Sequence, residues 1–276
     1  MFYGEKFLDL FHKILLPSLW LPGNIPALLH NDFDVSHRIY CPRPECEALT
    51  HYALNSEIKV EFNDNILSTN HEAARHEGLY RCLQHHIHRG TLTVFAPCDH
   101  VFGEGLYRVI KDIQPGEYLV CGHPRIDYEN GLEAVAAFLE TPHSTNNREL
   151  VWLCMNSIPH PMVVHGKTNR ETYWRTIRQG DHWETYFAEP PPVAFWSVPD
   201  FFDAWRKPTL HADWEVIDHD LPNHCYKRGR LKLVTDSREF FWAEFTSNRQ
   251  YVPTLYTRLE LESLFYCHTI PLRWYD

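Results

Sequence analysis

Residues Arg75–Gly105 read RHEGLYRCLQHHIHRGTLTVFAPCDHVFGEG, and the reading of the fold turns on them. Their first part belongs to a segment, Ser68–His88, whose spacing predicts a long helix with Ser68 or Thr69 as its N-cap. Thr91–Ala96 is an apolar, β-branched run that predicts a buried strand, and Gly105–Ile113 predicts a helix that stops before Pro115-Gly116. Asp99 then falls just beyond the carboxyl end of the strand. Ligands of open α/β sheets bind outside the carboxyl ends of strands. An acid placed there can hold a divalent cation, which in turn holds a diphosphate. The same acid can instead cap a turn or the Gly105 helix.

The flanking chain alternates helix and strand. Glu5–Trp20 has helical apolar spacing (Phe7, Leu8, Leu10, Phe11, Ile14, Leu15) and ends near Pro22-Gly23. Ser36–Cys41 predicts a short strand, Pro44–Ala53 a helix, Ile58–Phe62 a half-buried strand and Glu117–Cys121 another strand. Strands separated by helices imply an α/β fold with a parallel sheet covered by helices. From about residue 130 the pattern changes. Helices are expected at Gly131–Leu139, Arg148–Asn156 and Arg170–Arg178, then an aromatic stretch around Pro190-Pro191-Pro192 and Trp196. Strand-like runs follow at Trp214–Ile217 and Arg230–Val234. We therefore expect one compact fold with a ligand-binding half, 1–125, and a helical, aromatic-rich half, 126–276.

The chain has 276 residues, 44% of them hydrophobic and 22% charged, a globular composition able to bury a sizeable core. Its net charge of −10 argues against a sequence-independent grip on nucleic acid, which rests on Lys and Arg neutralising phosphates. One local basic cleft for a phosphorylated small molecule stays compatible with that balance. No segment reads as membrane-spanning: Phe7–Leu29 is interrupted by Asp9, His12, Lys13 and prolines. Eight scattered cysteines without a secretory leader predict a cytoplasmic protein with reduced thiols.

The segment quoted above resembles the central motif of the GT-A-type glycosyltransferases, enzymes that use nucleotide-diphosphate sugars. The resemblance lies in Ala74-Arg75-His76-Glu77-Gly78, followed by Gly90-Thr91-Leu92-Thr93-Val94-Phe95-Ala96-Pro97-Cys98-Asp99-His100. It implies a Rossmann-type mixed sheet flanked by helices, a nucleotide-sugar donor, an acceptor that the sequence does not name, and a divalent cation, Mn²⁺ or Mg²⁺. Pro97 stands where that family's Asp-x-Asp motif has its first acid, and His100 follows the second. Only Asp99 therefore carries over as the residue for metal and diphosphate. By the same resemblance Arg75 would contact the nucleotide or its phosphates, and Arg125 and His100 would balance charge on the leaving diphosphate. Leu15–Leu29, Ile217–Leu221 and Lys232–Phe241 resemble further parts of a bacterial subset of the family. The strand that opens such folds is not seen before the Glu5 helix, which implies an upstream start or a nucleotide site built differently.

An inverting transferase needs a carboxylate within about 3 Å of the acceptor hydroxyl. Asp218 and Asp220, around His219 in IDHDL, are candidates, and Glu149 at the start of the Arg148 helix is a third. Each also has a plain role, the pair as a solvated turn and Glu149 as a favourable charge in a first helical turn. Trp196, Trp205 and Trp214 fall where an acceptor region would lie and could stack on a sugar.

Two other function classes compete. A GT-A-like scaffold that binds a glycan or a protein partner without catalysis is one. A zinc-dependent hydrolase is the other, motivated by the 19 histidines and by Cys41-x4-Cys46-x4-His51 with Cys82 or His85. The paired short spacing of zinc ribbons and fingers is absent from that run, however. His71 and His76 are five apart and do not share a helical face, so this is not a metalloprotease pair. Gly166-Lys167-Thr168 lacks the earlier glycine of a phosphate-binding loop, that position being Pro161. No Gly-x-Ser-x-Gly elbow occurs.

Overall fold

A computed structural model describes residues 5–41, 59–63, 89–121, 124–141, 147–157, 174–179, 182–187, 192–196, 230–246 and 272–275, with 43, 47, 49 and 85 as single positions. It is a mixed α/β fold. The N-terminal apolar stripe becomes α1 (Glu5–Leu10), a π-helical turn (Phe11–Leu15) and α2 (Leu16–Leu19). The wide turn lies directly ahead of Pro17, whose ring would otherwise meet the carbonyl of the preceding turn. Leu10, Phe11 and Ile14 of this rod are fully buried. α3 (Ile25–His30) follows, and Asp32, at φ +61°, ends it in a left-handed cap, with Phe33 N–H donating back to Leu28 O at 3.1 Å.

Four small sheets are described. β1 (Ser36–Tyr40) and β2 (Lys59–Asn63) pair in parallel. The second sheet has the order β10 (Leu231–Val234), β5 (Tyr118–Cys121), β9 (Pro192–Trp196), β3 (Leu92–Val94). In it β10 and β5 run parallel, while β9 runs antiparallel to both β5 and β3. The third has the order β4 (His100–Phe102), β11 (Trp242–Thr246), β6 (Arg125–Asp127), antiparallel then parallel. The fourth has the order β12 (Leu272–Tyr275), β8 (His182–Phe187), β7 (Trp174–Gln179), all antiparallel. Strands from the two halves of the sequence thus share sheets. The alternation alone points to a parallel sheet; of the described sheets one is parallel, one antiparallel and two mixed.

The helix expected over Arg170–Arg178 is also corrected, because Trp174–Gln179 is strand β7. Its Thr176 and Ile177 are β-branched and its Trp174 aromatic, and only two residues separate Gln179 from the antiparallel partner at His182. Those are hairpin signals, and cross-strand pairing overrides a weak helical spacing. The expected helices at Pro44–Ala53 and Ser68–His88 and the strand at Trp214–Ile217 lie outside the described residues, apart from single positions.

Two further helices match their spacing closely: α5 (Tyr128–Glu140) and α6 (Arg148–Asn156). The helix expected from Gly105 is shorter, α4 (Leu106–Ile110). Asp127 is buried and caps α5, its Oδ1 accepting from Glu129 N–H at 2.9 Å. The core gathers the N-terminal rod, β4, β6, β11, α5 and α6 around Trp242, whose Nε1–H donates to Cys121 O at 2.9 Å.

The expectation of reduced thiols fails at Cys41. This buried residue at the end of β1 is disulfide-bonded. Cys98, Cys121 and Cys154 are buried thiols. Among the described residues no helix is long and apolar enough to cross a membrane.

Candidate functional site

Asp99 stands in the turn between β3 and β4. His100 N–H closes that turn onto Pro97 O at 3.2 Å, and Phe245 N–H of β11 donates to Asp99 O at 2.7 Å. The backbone of Asp99 is therefore fixed from both sides. Its side chain is fixed as well, since His100 Nδ1 lies 2.9 Å from Asp99 Oδ1. An ionised carboxylate only accepts, so Nδ1 is the protonated nitrogen of this pair. The imidazole is packed at 4.9 Å against the Trp242 ring and its side chain is 8% exposed, against 23% for Asp99. The carboxylate is thus the more exposed of the pair.

β11 brings two more groups alongside. Successive strand residues point to opposite faces, so Trp242, Glu244 and Thr246 share one face and Ala243 and Phe245 the other; Trp242 is fully buried, Glu244 and Thr246 half-buried. Glu244 is in register with His100 on one side and with Arg125 on the other. An acid and an imidazole therefore stand side by side across the sheet, with Arg125 next in the backbone register. Trp242, two residues earlier on that face, reaches Cys121, the last residue of β5.

Glu244 was missed by sequence reading. The signal was present as a single acid inside the run Phe240-Phe241-Trp242-Ala243-Glu244-Phe245-Thr246, where an alternating strand gives it a face of its own.

The other expected site residues separate. Glu149 is exposed in the first turn of α6. That helix starts at Asn147, which accepts from Glu104 N–H at 2.6 Å and donates to Glu104 O at 2.9 Å. Glu104 follows β4 whereas Asp99 precedes it, so the two stand beyond opposite ends of that three-residue strand. Glu149 keeps its first-turn role there. Arg75, Asp218, Asp220, Trp205 and Trp214 lie outside the described residues. Trp196 ends β9, in register with Leu92.

Cys98, next to Asp99, is no nucleophile, because burial pushes its thiol up to about 12. Burial likewise raises the Glu104 carboxyl above its ordinary value, with a backbone bond from Gly23 and the charge of Arg108 pulling it back.

A divalent cation finds no cage among these groups. Among the described residues no set of three or more His, Cys, Asp or Glu is arranged to hold a metal ion. Asp99 offers one carboxylate, already engaged by His100. The described residues do not fit a protein-held cation. Cys41 of the zinc run is disulfide-bonded, and Cys46, His51 and Cys82 lie outside the described residues.

Compared with protein-family models, with curated proteins and with solved structures, the chain matches none.

Proposed function

We propose that the chain is a glycosyltransferase of GT-A-like design that moves a sugar from a nucleotide-diphosphate donor to a hydroxyl acceptor. One observation carries the reading. Asp99 presents a positioned carboxylate directly ahead of β4, in the turn that joins β3 to the row His100–Glu244–Arg125. The acceptor hydroxyl attacks the anomeric carbon, the bond from that carbon to the diphosphate oxygen breaks, and a carboxylate takes the hydroxyl proton. That carboxylate is drawn from Glu244, Asp218 and Asp220. Glu149 is the weaker candidate, since Asn147, which precedes its helix, bonds Glu104 beyond the end of β4 opposite Asp99. Charge on the departing nucleoside diphosphate is met by donors among His100, Arg125 and Arg75. No step is routed through a metal ion.

The test is a melting-temperature panel of UDP, GDP, CDP and dTDP and their common sugars, with and without Mn²⁺ or Mg²⁺. A ligand at one hundred times its Kd adds about 2.7 kcal/mol. Stabilisation by one nucleotide class supports the reading and names the donor.

A second reading, a GT-A-like scaffold that binds without catalysis, is favoured by Pro97 in place of the first acid and by the lack of a metal-binding set among the described residues. It expects no nucleotide to stabilise the chain at any cation concentration.

A further inference from the structure

Gly103-Glu104-Gly105 joins β4 to α4, and three other parts of the chain close on it. From the loop ahead of α3, Asn24 donates to Gly103 O at 3.0 Å and accepts from Leu106 N–H at 3.0 Å, and Gly23 O accepts from Tyr107 N–H at 3.1 Å. From the start of α6, Asn147 bonds both the N–H and the O of Glu104. The same Asn147 donates to Ser237 O at 2.8 Å, which ties in the segment ahead of β11. The backbone of Glu104 thus has little freedom to shift to suit its own side chain.

That side chain turns back into the junction. Its Oε2 lies against Gly23, so close that a Cβ on Gly23 would stand 2.8 Å from it. Its Oε1 is buried and has no hydrogen-bond partner among the described residues. A carboxylate oxygen buried without a donor is costly, and the cost falls on the charged form. A proton on the carboxyl removes the charge and keeps the shape.

Few charges offset this. Arg108, four residues on in α4, is the cation that acts on Glu104, and it also donates to Arg238 O at 3.0 Å. Arg238 is paired with Asp236, and Glu239 is exposed. Arg148 and Glu149 at the start of α6 are exposed, and α3 carries His30 at its far end, exposed as well. The loop itself, Trp20–Asn24, brings no titratable side chain.

We propose that Glu104 is a proton-controlled latch: its neutral carboxyl holds the Gly23–Asn24 loop on the β4–α4 turn, and its ionised form loosens that loop. The latch does not rest on the transferase reading. Burial raises the Glu104 carboxyl above its ordinary value, against the opposing pull of the Gly23 backbone and Arg108. Between the ordinary and the raised value the closed junction binds a proton that the opened one gives up. Opening therefore becomes easier as the pH rises through that window, and the effect levels off above it.

The experiment is hydrogen exchange read by NMR on the full chain between about pH 5 and about pH 8, corrected for the intrinsic rate of each amide. Leu106 N–H and Tyr107 N–H report on the latch, because their bonds cross to Asn24 and Gly23. The Trp242 indole N–H, bonded to Cys121 O in the core, is the control. Protection of the two amides is expected to fall at least about fivefold across the range while the indole stays constant. Glu104→Gln carries the neutral shape permanently and leaves the backbone bonds of Asn147 in place, so its two amides should stay protected throughout. A carbon-13 titration of the Glu104 carboxyl in the natural chain gives a second readout that needs no variant, and is expected to place it above the ordinary carboxylate range. The proposal is overturned if that carboxyl titrates at or below the ordinary range, if the two amides keep their protection up to the highest pH, if the indole loses protection in step with them, or if Glu104→Gln shows the same pH dependence as the natural chain.

Discussion

Replacing Gly105 by Ala tests how tightly β4 is locked into its turn. Gly105 has φ +110°, and an added Cβ would stand 2.1 Å from the carbonyl oxygen of Glu239. Three contributions decide the cost. The left-handed conformation costs a non-glycine residue about 1–2 kcal/mol. Making room beside a backbone carbonyl costs about 1–3 kcal/mol more, as overpacking does elsewhere. The stiffer unfolded chain returns about 0.4–1 kcal/mol. The net is a loss of about 3 kcal/mol. Gly90 is the internal control. Its φ is also positive, +60°, but a Cβ there meets nothing within 4 Å. Gly90→Ala therefore carries the backbone cost and the unfolded-state return without the clash, a loss of about 1 kcal/mol or less. Urea unfolding followed by tryptophan fluorescence reads both. With a slope of about 3 kcal/mol per molar, Gly105→Ala should lower the midpoint by about 1 M and Gly90→Ala by about a third of that. Equal midpoints for the two variants would refute the packing of the turn against Glu239.

Other consequences follow from buried polar groups. Asn24 is fully buried, donates to Ser18 O at 2.8 Å and Gly103 O at 3.0 Å, and accepts from Leu106 N–H at 3.0 Å. Asn24→Ala strands those three backbone groups and should cost about 3 kcal/mol in the same urea assay. His37, near the Phe11 ring, has its pKa lowered by burial to about 4. The unfolded chain, titrating near 6.5, binds more protons there, so stability is full above about pH 6.5 and falls as the pH drops toward 4. The shift is worth about 3 kcal/mol at most, and about half of that at a partly exposed ring. His37→Gln should flatten the pH dependence of the urea midpoint between pH 4 and 7 by that amount.

The parts of the fold legible in the sequence are those whose signal is local and long enough. Arg148–Asn156 carries a full apolar stripe, and the helix occupies those residues. Ser36–Cys41 and Ile58–Phe62 alternate, and β1 and β2 form on them within a residue. β4 and β6, each three residues long, are too short to show a period. Their pairing with β11, far along the chain, is a long-range fact that no local pattern encodes. The site divides the same way. Asp99 and His100 are neighbours in sequence, so their pairing was open to reading. Glu244 joins them only through sheet register. Glu149 looked like a base from its order along the chain, and only the contacts of Asn147 place its helix at the far end of β4.

The most direct test of the account runs the nucleotide panel on the natural chain and on Asp99→Ala side by side. The transferase reading predicts that one class of nucleoside diphosphate or its sugar raises the melting temperature of the natural chain by about 5 °C or more at one hundred times Kd. It predicts that Asp99→Ala, folded and melting normally without ligand, loses most of that rise. A natural chain that no nucleotide stabilises, or an Asp99→Ala variant stabilised as strongly as the natural chain, would contradict it.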